Sequence, residues 1–375
     1  MLYRTMNKAD RKLSILGFGC MRLPQTPDCH IDEPVATEMI RYAIDRGVNY
    51  LDTAYVYHNG ESEPFLGRAL SGGYRQKVNL ATKLPVWMVE KRGDMDRFLN
   101  EQLKRLQTDH IDFYLLHGLK STTWNRAQEL NVTEFLDEAR SDGRISYAGF
   151  SFHDEVSVFK EIVDAYDWTL SQIQYNFMDE ENQAGTEGLT YAAGKGLGIV
   201  IMEPLRGGLL ARESGDVKKA WASTGVSRTP AEWGFFWLWD KPEITVVLSG
   251  MSTMTQVKDN LKYANDGRPG SLTAAERRVY DKVKAVYRAR MKVPCTGCGY
   301  CLPCPGGIKI PECFAAYNDA FIFEDATRAK DSYDADTDNG GSASGCQECG
   351  VCECLCPQQI EIRARLKDVA NLFRH

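Results

Sequence analysis

The sequence predicts an α/β protein: a (β/α)8 barrel spanning about residues 1–290, followed by a small cysteine-rich domain over 291–375. Three observations predict it. Eight short apolar runs alternate with longer amphipathic stretches over the first 265 residues, and ten of the twelve cysteines fall after residue 290. At 375 residues and 43% hydrophobic, the chain is long enough for one large core and an appendix.

The runs, in order, are LSILGFG (13–19), VNYLD (48–52), VNLATK (78–83), IDFYLLH (111–117), ISYAGFS (145–151), LSQIQYN (170–176), LGIVIME (197–203) and ITVVLSG (244–250). Each is short, rich in β-branched or aromatic residues, and apolar on consecutive positions, as a strand covered on both faces must be. Between them lie helical patterns. PVATEMIRYAIDRG begins with proline and ends in glycine, and MDRFLNEQLKRLQ carries apolar residues at helical spacing. Eight strand–helix units of this size match a (β/α)8 barrel. The alternative, a doubly wound open sheet, lacks its expected G-x-G-x-x-G turn after the first strand.

Beyond Leu272 a helical stretch, TAAERRVYDKVKAVYRAR, leads into the cysteine region. A further helix is expected around IPECFAAYNDAFIFED, and the acidic, glycine- and serine-rich DADTDNGGSASG reads as a mobile surface loop.

Composition excludes several classes of function. The net charge of −6 with mixed signs offers no basic stripe for nucleic acid. No apolar stretch has the length of a signal peptide or a membrane span, so a cytoplasmic protein is expected. With only Cys20 and Cys29 ahead of residue 295, the cysteines are not a disulfide framework; the clustered ten read as metal ligands.

Asp52, Lys83 and His117 close the second, third and fourth runs, 31 and 34 residues apart. In a barrel the C-terminal strand ends surround one pocket, so these three polar side chains are expected to converge. Their segments resemble the aldo-keto reductase family. NYLDTAYVYHNGESEPFLGRAL is similar to the family signature, with Tyr57 five residues after Asp52, and ATKLP and FYLLHGL are similar to its lysine and histidine segments. The resemblance implies catalytic roles for Asp52, Tyr57, Lys83 and His117. A phenol is a poor acid near neutrality unless a cation favours its phenolate. Lys83 would be that cation, Asp52 would keep it charged, His117 would orient a carbonyl oxygen, and Tyr57 would donate the proton.

For a nicotinamide cofactor the resemblance implies Gln172, in QIQYN, and Ser151 at the carboxamide; the asparagine that follows in the family is Phe152 here. In LSGMSTMTQVKDNL it implies Gly250, Met251 and Ser252 along the phosphates and Gln256, Asp259 and Asn260 near the adenosine. NADP(H) is the family default. Only Lys258 is available in this stretch for a 2′-phosphate, so NAD(H) stays open. Trp87 and Trp124 are candidate aromatic walls for a substrate, which the sequence does not name.

The second cysteine cluster, Cys346-x2-Cys349-x2-Cys352-x3-Cys356-Pro357, has the bacterial ferredoxin spacing; the first, Cys295-x2-Cys298-x2-Cys301-x2-Cys304-Pro305, is one residue shorter in its last interval. Zinc is the rival ligand, but runs of C-x2-C steps ending in C-P are iron–sulfur usage. The pair resembles two-cluster ferredoxins, and so implies a small α+β ferredoxin-like domain. One [4Fe-4S] cluster would use Cys295, Cys298, Cys301 and Cys356, the other Cys346, Cys349, Cys352 and Cys304, with Cys313 and Cys354 as spares. A single cluster remains the alternative.

The expected function is therefore an oxidoreductase moving hydride between NAD(P)H and an aldehyde or ketone, or the reverse, joined to electron-transferring clusters. A redox partner protein is a possible second partner beside the small-molecule substrate. Two other readings stay open: an iron–sulfur electron-transfer protein whose barrel only binds a ligand or partner, and a one-electron reductase working without nicotinamide.

Overall fold

A computed structural model of the chain describes residues 1–212, 215–295, 297, 299–338, 340–356 and 358–374. Cys298 and Pro357, both parts of the cysteine motifs, lie outside the described residues. All eight apolar runs contribute strands, because each offers consecutive buried side chains to both a barrel interior and a helical shell. The strands are β3 (Leu16–Gly19), β4 (Tyr50–Asp52), β5 (Asn79–Leu84), β6 (Ile111–Leu119), β7 (Ile145–Phe152), β8 (Leu170–Gln174), β9 (Gly198–Met202) and β10 (Ile244–Ser249). They pair in parallel, in chain order, and β10 closes on β3.

The first run does not form one strand. Leu13 and Ser14 end β2 (Arg11–Ser14), which pairs antiparallel with β1 (Tyr3–Met6) in an N-terminal hairpin that the sequence reading missed. The hairpin has a packing role: Met6, Ala9 and Leu13 are buried with Tyr50, Phe113, Leu170 and Val246 in one cluster, so they fill the barrel interior. Gly198 permits this, since a Cβ there would lie 2.4 Å from the Met6 methyl carbon.

The shell follows in order: α1 (Glu33–Ile44), α2 (Ser62–Ala69), α3 (Arg92–Arg105), α4 (Ser121–Glu129), α5 (Val132–Ser141), α6 (Val156–Ala165), α7 (Gly185–Gly194), α8 (Gly215–Ala222), α9 (Pro230–Trp239) and α10 (Met254–Tyr263). Local chemistry sets several starts. Asp32 accepts from the Val35 N–H at the head of α1, with Pro34 in its first turn, and Thr229 and Thr253 cap α9 and α10 in the same way.

The chain divides into two compact units, residues 1–211 with 228–273, and residues 212–227 with 274–375. The second holds α8, α11 (Ala274–Ala289), α12 (Ile310–Ile322), α13 (Ala326–Asp336), α14 (Val351–Leu355) and α15 (Ile362–Leu372). Among the described residues it contains no strand, so the expected α+β arrangement gives way to a helical one. It also has a core of its own, with Val293, Ile308, Phe314, Tyr333, Leu366 and Val369 all buried.

Across its described residues DADTDNGGSASG is not a free loop; Asn339 lies outside them. Its first residues end α13, the Ala343 N–H donates to Tyr333 Oη at 2.8 Å, and the Lys309 N–H donates to the Gly341 carbonyl at 2.9 Å. Its composition signalled a loop, but its backbone donors and acceptors found partners within the unit.

Candidate functional site

Strand register brings the polar strand ends together. Asp52 lies beside Gly19 on β3 and Ala81 on β5, Lys83 beside Leu115 on β6, and Ser151 beside Gln172 on β8. At the end of β6 the pairing with β7 shifts between Leu116 and Leu119, and Gly118 adopts a φ of 61°. That irregularity holds His117 at the mouth.

Lys83 is fully buried. Its ammonium lies 2.8 Å from both Asp52 oxygens, 2.7 Å from the Thr53 carbonyl and 3.4 Å from Tyr57 Oη. Three short contacts to acceptors fit the three donors of a charged ammonium. Burial works against that charge, but Asp52 and Tyr57 outweigh it and hold the Lys83 pKa above its ordinary value. Burial also pushes the Asp52 carboxyl up, against Lys83. We take the charged pair as the ground state, because neutral lysine cannot donate to all three acceptors.

The Tyr57 pKa lies above its ordinary value, with burial the leading cause, Lys83 pulling it down and Asp52 pushing it up. Burial outweighs Lys83 in this arrangement, so the phenol is protonated near neutrality. His117 stands edge-on to Tyr57 with ring centroids 5.9 Å apart. Burial first, then Lys83 and His153, keep its pKa well below the ordinary histidine value, so the ring is neutral. Its Nδ1 is buried without a hydrogen-bond partner among the described residues.

Trp87 packs 5.0 Å from His117 and is half exposed, which puts an aromatic wall beside the polar cluster. Trp124 is different. It is fully buried against Trp168, so it packs its own domain and lines no substrate space.

Two further side chains face the same interior. Ser151 Oγ accepts from the Gly118 N–H at 2.7 Å, which leaves its own proton free to be donated. Gln172 is buried and, among the described residues, its Oε1 has no partner, while its amide nitrogen meets the Met202 sulfur at 3.8 Å. An unpaired buried amide oxygen is costly, and a carboxamide N–H is the donor it lacks. Phe152 is turned onto Phe159 of α6 and offers nothing polar.

The Gly250–Ser252 loop leads into α10. Gln256 Oε1 accepts from the Ser252 N–H at 2.8 Å, and buried Asn260 donates to Ser249 Oγ at 3.0 Å, so both shape the loop from within. Asp259 is exposed on α10. The Lys258 ammonium lies 5.7 Å from the Tyr42 ring centre on α1.

Behind the cluster is a layer the sequence reading did not single out. Gln102 donates to the Lys83 carbonyl at 3.0 Å and to Glu63 at 2.6 Å, and Glu63 accepts from Thr82 at 2.7 Å. One signal was available: Gln102 falls in register with Met95, Phe98 and Leu99, as a polar residue on an apolar stripe. A separate cleft lies between α2 and α3, lined by Arg75, Thr108 and Asp112.

In the second unit, Cys295, Cys301 and Cys356 line one cavity whose other walls are Ile310, Phe314 and Ile360. Cys356 belongs to the second motif, the other two to the first. Cys304 makes the reciprocal crossing. Cys352 is pushed above its ordinary thiol pKa by burial, then Glu353, then the neighbouring Cys304 and Cys346. Gly306, just after the first motif, faces the Gly345 carbonyl just before the second. Thiolates against an apolar wall suit an iron–sulfur cluster. Cys349 is exposed. Of the spares, Cys313 is buried against the Gly341 carbonyl and Cys354 is exposed.

Barrel, polar cluster and crossed cysteines together define an oxidoreductase-type (β/α)8 barrel joined to an iron–sulfur unit. The Aldo/keto reductase family model matches residues 15–267, and a 4Fe-4S dicluster domain model matches residues 294–361. The chain belongs to the aldo/keto reductase family. It is 26% identical over 298 residues to the uncharacterized oxidoreductase YqkF of Bacillus subtilis, covering 72% of this chain and 92% of that protein. YrpG of the same organism, also described as an uncharacterized oxidoreductase, is 28% identical over 307 residues, covering 70% and 90%. Among solved structures, the holo form of aldo-keto reductase AKR11C1 from Bacillus halodurans superposes with a TM-score of 0.64 at 29% identity, covering 76% of this chain and 96% of that one. Among the described residues no helix is long and apolar enough to cross a membrane.

Proposed function

We propose that the barrel reduces an aldehyde or ketone with NAD(P)H, or runs the reverse oxidation, and that the second unit holds two [4Fe-4S] clusters. The observation that carries the barrel reading is the buried Asp52–Lys83 pair with Tyr57 Oη 3.4 Å from the ammonium. A bound nicotinamide supplies the hydride.

The chain's own residues do the rest. Gln172 Oε1 and the Ser151 hydroxyl hold the carboxamide and so fix which face of the ring meets the substrate. Neutral His117 hydrogen-bonds and orients the carbonyl oxygen. Tyr57, protonated, gives its proton to that oxygen as negative charge develops there, and Lys83 stabilises the phenolate left behind. Asp52 keeps Lys83 charged, and the Gln102–Glu63–Thr82 layer fixes the backbone carrying it. Trp87 forms one wall of the substrate site.

The clusters supply one-electron transfer. Cys295, Cys301 and Cys356, with Cys298, would bind one, and Cys304, Cys346, Cys349 and Cys352 the other. A redox partner protein fits this chemistry, because a nicotinamide gives two electrons as hydride and a cluster passes one.

Titration of anaerobically purified protein with NADPH and NADH tests the reading, followed by turnover of a generic aldehyde by the Tyr57→Phe variant. Binding of either nucleotide with loss of turnover in the variant supports it. A Tyr57→Phe protein of full activity would sink the mechanism.

A further inference from the structure

Three residues outside the polar cluster connect Tyr57 to the Gly250 loop. His58, directly after Tyr57, has a φ of 51°, and Asn59 follows at 54°, left-handed values that side-chain-bearing residues hold only when the surroundings enforce them. The His58 ring supplies part of that enforcement: its Nε2 accepts from the Leu23 N–H at 3.2 Å, and its Nδ1 lies 3.3 Å from the Gln25 amide. Two residues before Arg22, the Cys20 N–H donates to the Asp52 carbonyl at 2.8 Å. Arg22 is therefore suspended between two backbone anchors, one on the strand end carrying Asp52 and one on the turn carrying Tyr57.

The Arg22 stem lies flat across Gly250. A Cβ at Gly250 would stand 3.2 Å from Arg22 Cβ and Cδ and 3.3 Å from Cγ, closer than ordinary packing, so any larger residue there would push the Arg22 stem aside by a few tenths of an ångström. The side chain is exposed, and its guanidinium makes no hydrogen bond, ion pair or ring contact among the described residues. A free planar cation, with its stem packed on the loop assigned to the phosphates, has the donor geometry for a bidentate phosphate contact. Lys258, the one cation the sequence offered in that stretch, sits over Tyr42 instead.

We propose that Arg22 is an anion-binding residue of the dinucleotide site, taking phosphate oxygens of the cofactor, and that His58 positions it through Leu23. This rests on the reading that a nicotinamide dinucleotide lies along Gly250–Ser252. It gives the turn after Tyr57 a second duty, since the ring that follows the proton donor also holds the loop that clasps the cofactor.

The test is fluorescence titration of the full anaerobic protein with NADPH and NADH, using wild type, Arg22→Gln, Arg22→Lys, His58→Phe and the Arg22→Gln/His58→Phe double variant. Arg22→Gln should weaken binding about tenfold, as expected for one lost charge-assisted contact, with an unchanged melting temperature because the site is exposed. Arg22→Lys should recover part of the loss, and added salt should narrow the gap. A loss confined to NADPH identifies the 2′-phosphate as the group taken, and an equal loss for both nucleotides the pyrophosphate; either supports the assignment. His58→Phe should also weaken binding, and the double variant should be no worse than Arg22→Gln, a non-additivity that general destabilisation does not produce. Wild-type affinity in Arg22→Gln overturns the assignment, additive losses overturn the positioning role, and a wild type that binds neither nucleotide overturns the nicotinamide reading beneath both.

Discussion

Both carboxylate oxygens of Asp52 lie 2.8 Å from the Lys83 ammonium, and neither side chain reaches solvent to any useful extent. A pair this deep is a liability for stability as much as a support. Each charge is tolerated only because the other is present, and similar-sized apolar residues are often no worse. Such a pair is retained where chemistry needs a cation at that point.

This separates stability from activity. Lys83→Met should leave the Asp52 charge unpaired in the barrel and destabilise the protein by about 3–5 kcal/mol. Adding Asp52→Leu should return most of that stability and none of the carbonyl reduction. Urea unfolding followed by barrel tryptophan fluorescence, run beside turnover of a generic aldehyde, checks both. Recovery of activity in the double variant would show that the cation is dispensable.

His117 makes a pH prediction. Its folded pKa lies well below the usual 6.5, so below about pH 6.5 the unfolded chain binds a proton that the folded chain refuses. Stability is thus fully present above pH 6.5 and declines as pH falls from there toward the folded pKa. The slope from this one group is at most about 1.4 kcal/mol per pH unit, less for its partial exposure. His58 and His153, also lowered by burial, add slopes of the same sign. His117→Gln should flatten the decline between pH 6.5 and 5 by up to one proton, read from unfolding free energies at several pH values. An unchanged slope would mean that His117 is protonated in the folded state.

The barrel was legible because its strands are buried on both faces, which leaves runs such as IDFYLLH and ITVVLSG with little polar interruption. The convergence of Asp52, Lys83 and His117 followed from closure alone, since parallel strands of a barrel end at one mouth. What escaped depends on partners far along the chain. Leu13 and Ile15 look like one strand in sequence, yet Met6 and Leu13 are drawn into the barrel interior and Leu16 begins the barrel wall. Arg22 carries no local pattern at all; its place is set by Gly250, a residue 228 positions later that leaves room for its stem. The cysteine spacings read clearly, but helix α13 did not, because its polar sequence is helical through packing of Ala329 and Tyr333 on the unit's core.

That core bears on what iron removal should do. A small domain with little core would owe its folding to its clusters. Here α12, α13 and α15 pack on one another around Phe314, Tyr333 and Val369, and Tyr333 stacks on Phe373 at 4.6 Å. Chelation should therefore loosen the cysteine segments while those three helices persist. Hydrogen exchange measured before and after anaerobic chelation gives the answer by segment. Loss of protection throughout residues 310–336 would assign the folding energy to the clusters.

Cys356 stands at the cavity of Cys295 and Cys301, fifty-five residues from the latter, whereas Cys304 and Cys346 both lie near Cys352. The ferredoxin resemblance implies ligation that crosses the two motifs; the rival arrangement pairs each motif with itself. The two make different predictions for single serine variants. Under crossing, Cys356→Ser and Cys295→Ser damage the same cluster and Cys304→Ser damages the other, so the first two should share one altered electron paramagnetic resonance spectrum and Cys304→Ser should give a different one. Iron and acid-labile sulfide should stand near eight of each per wild-type chain and approach four where a cluster is lost. A Cys356→Ser spectrum matching that of Cys346→Ser would instead return Cys356 to its own motif.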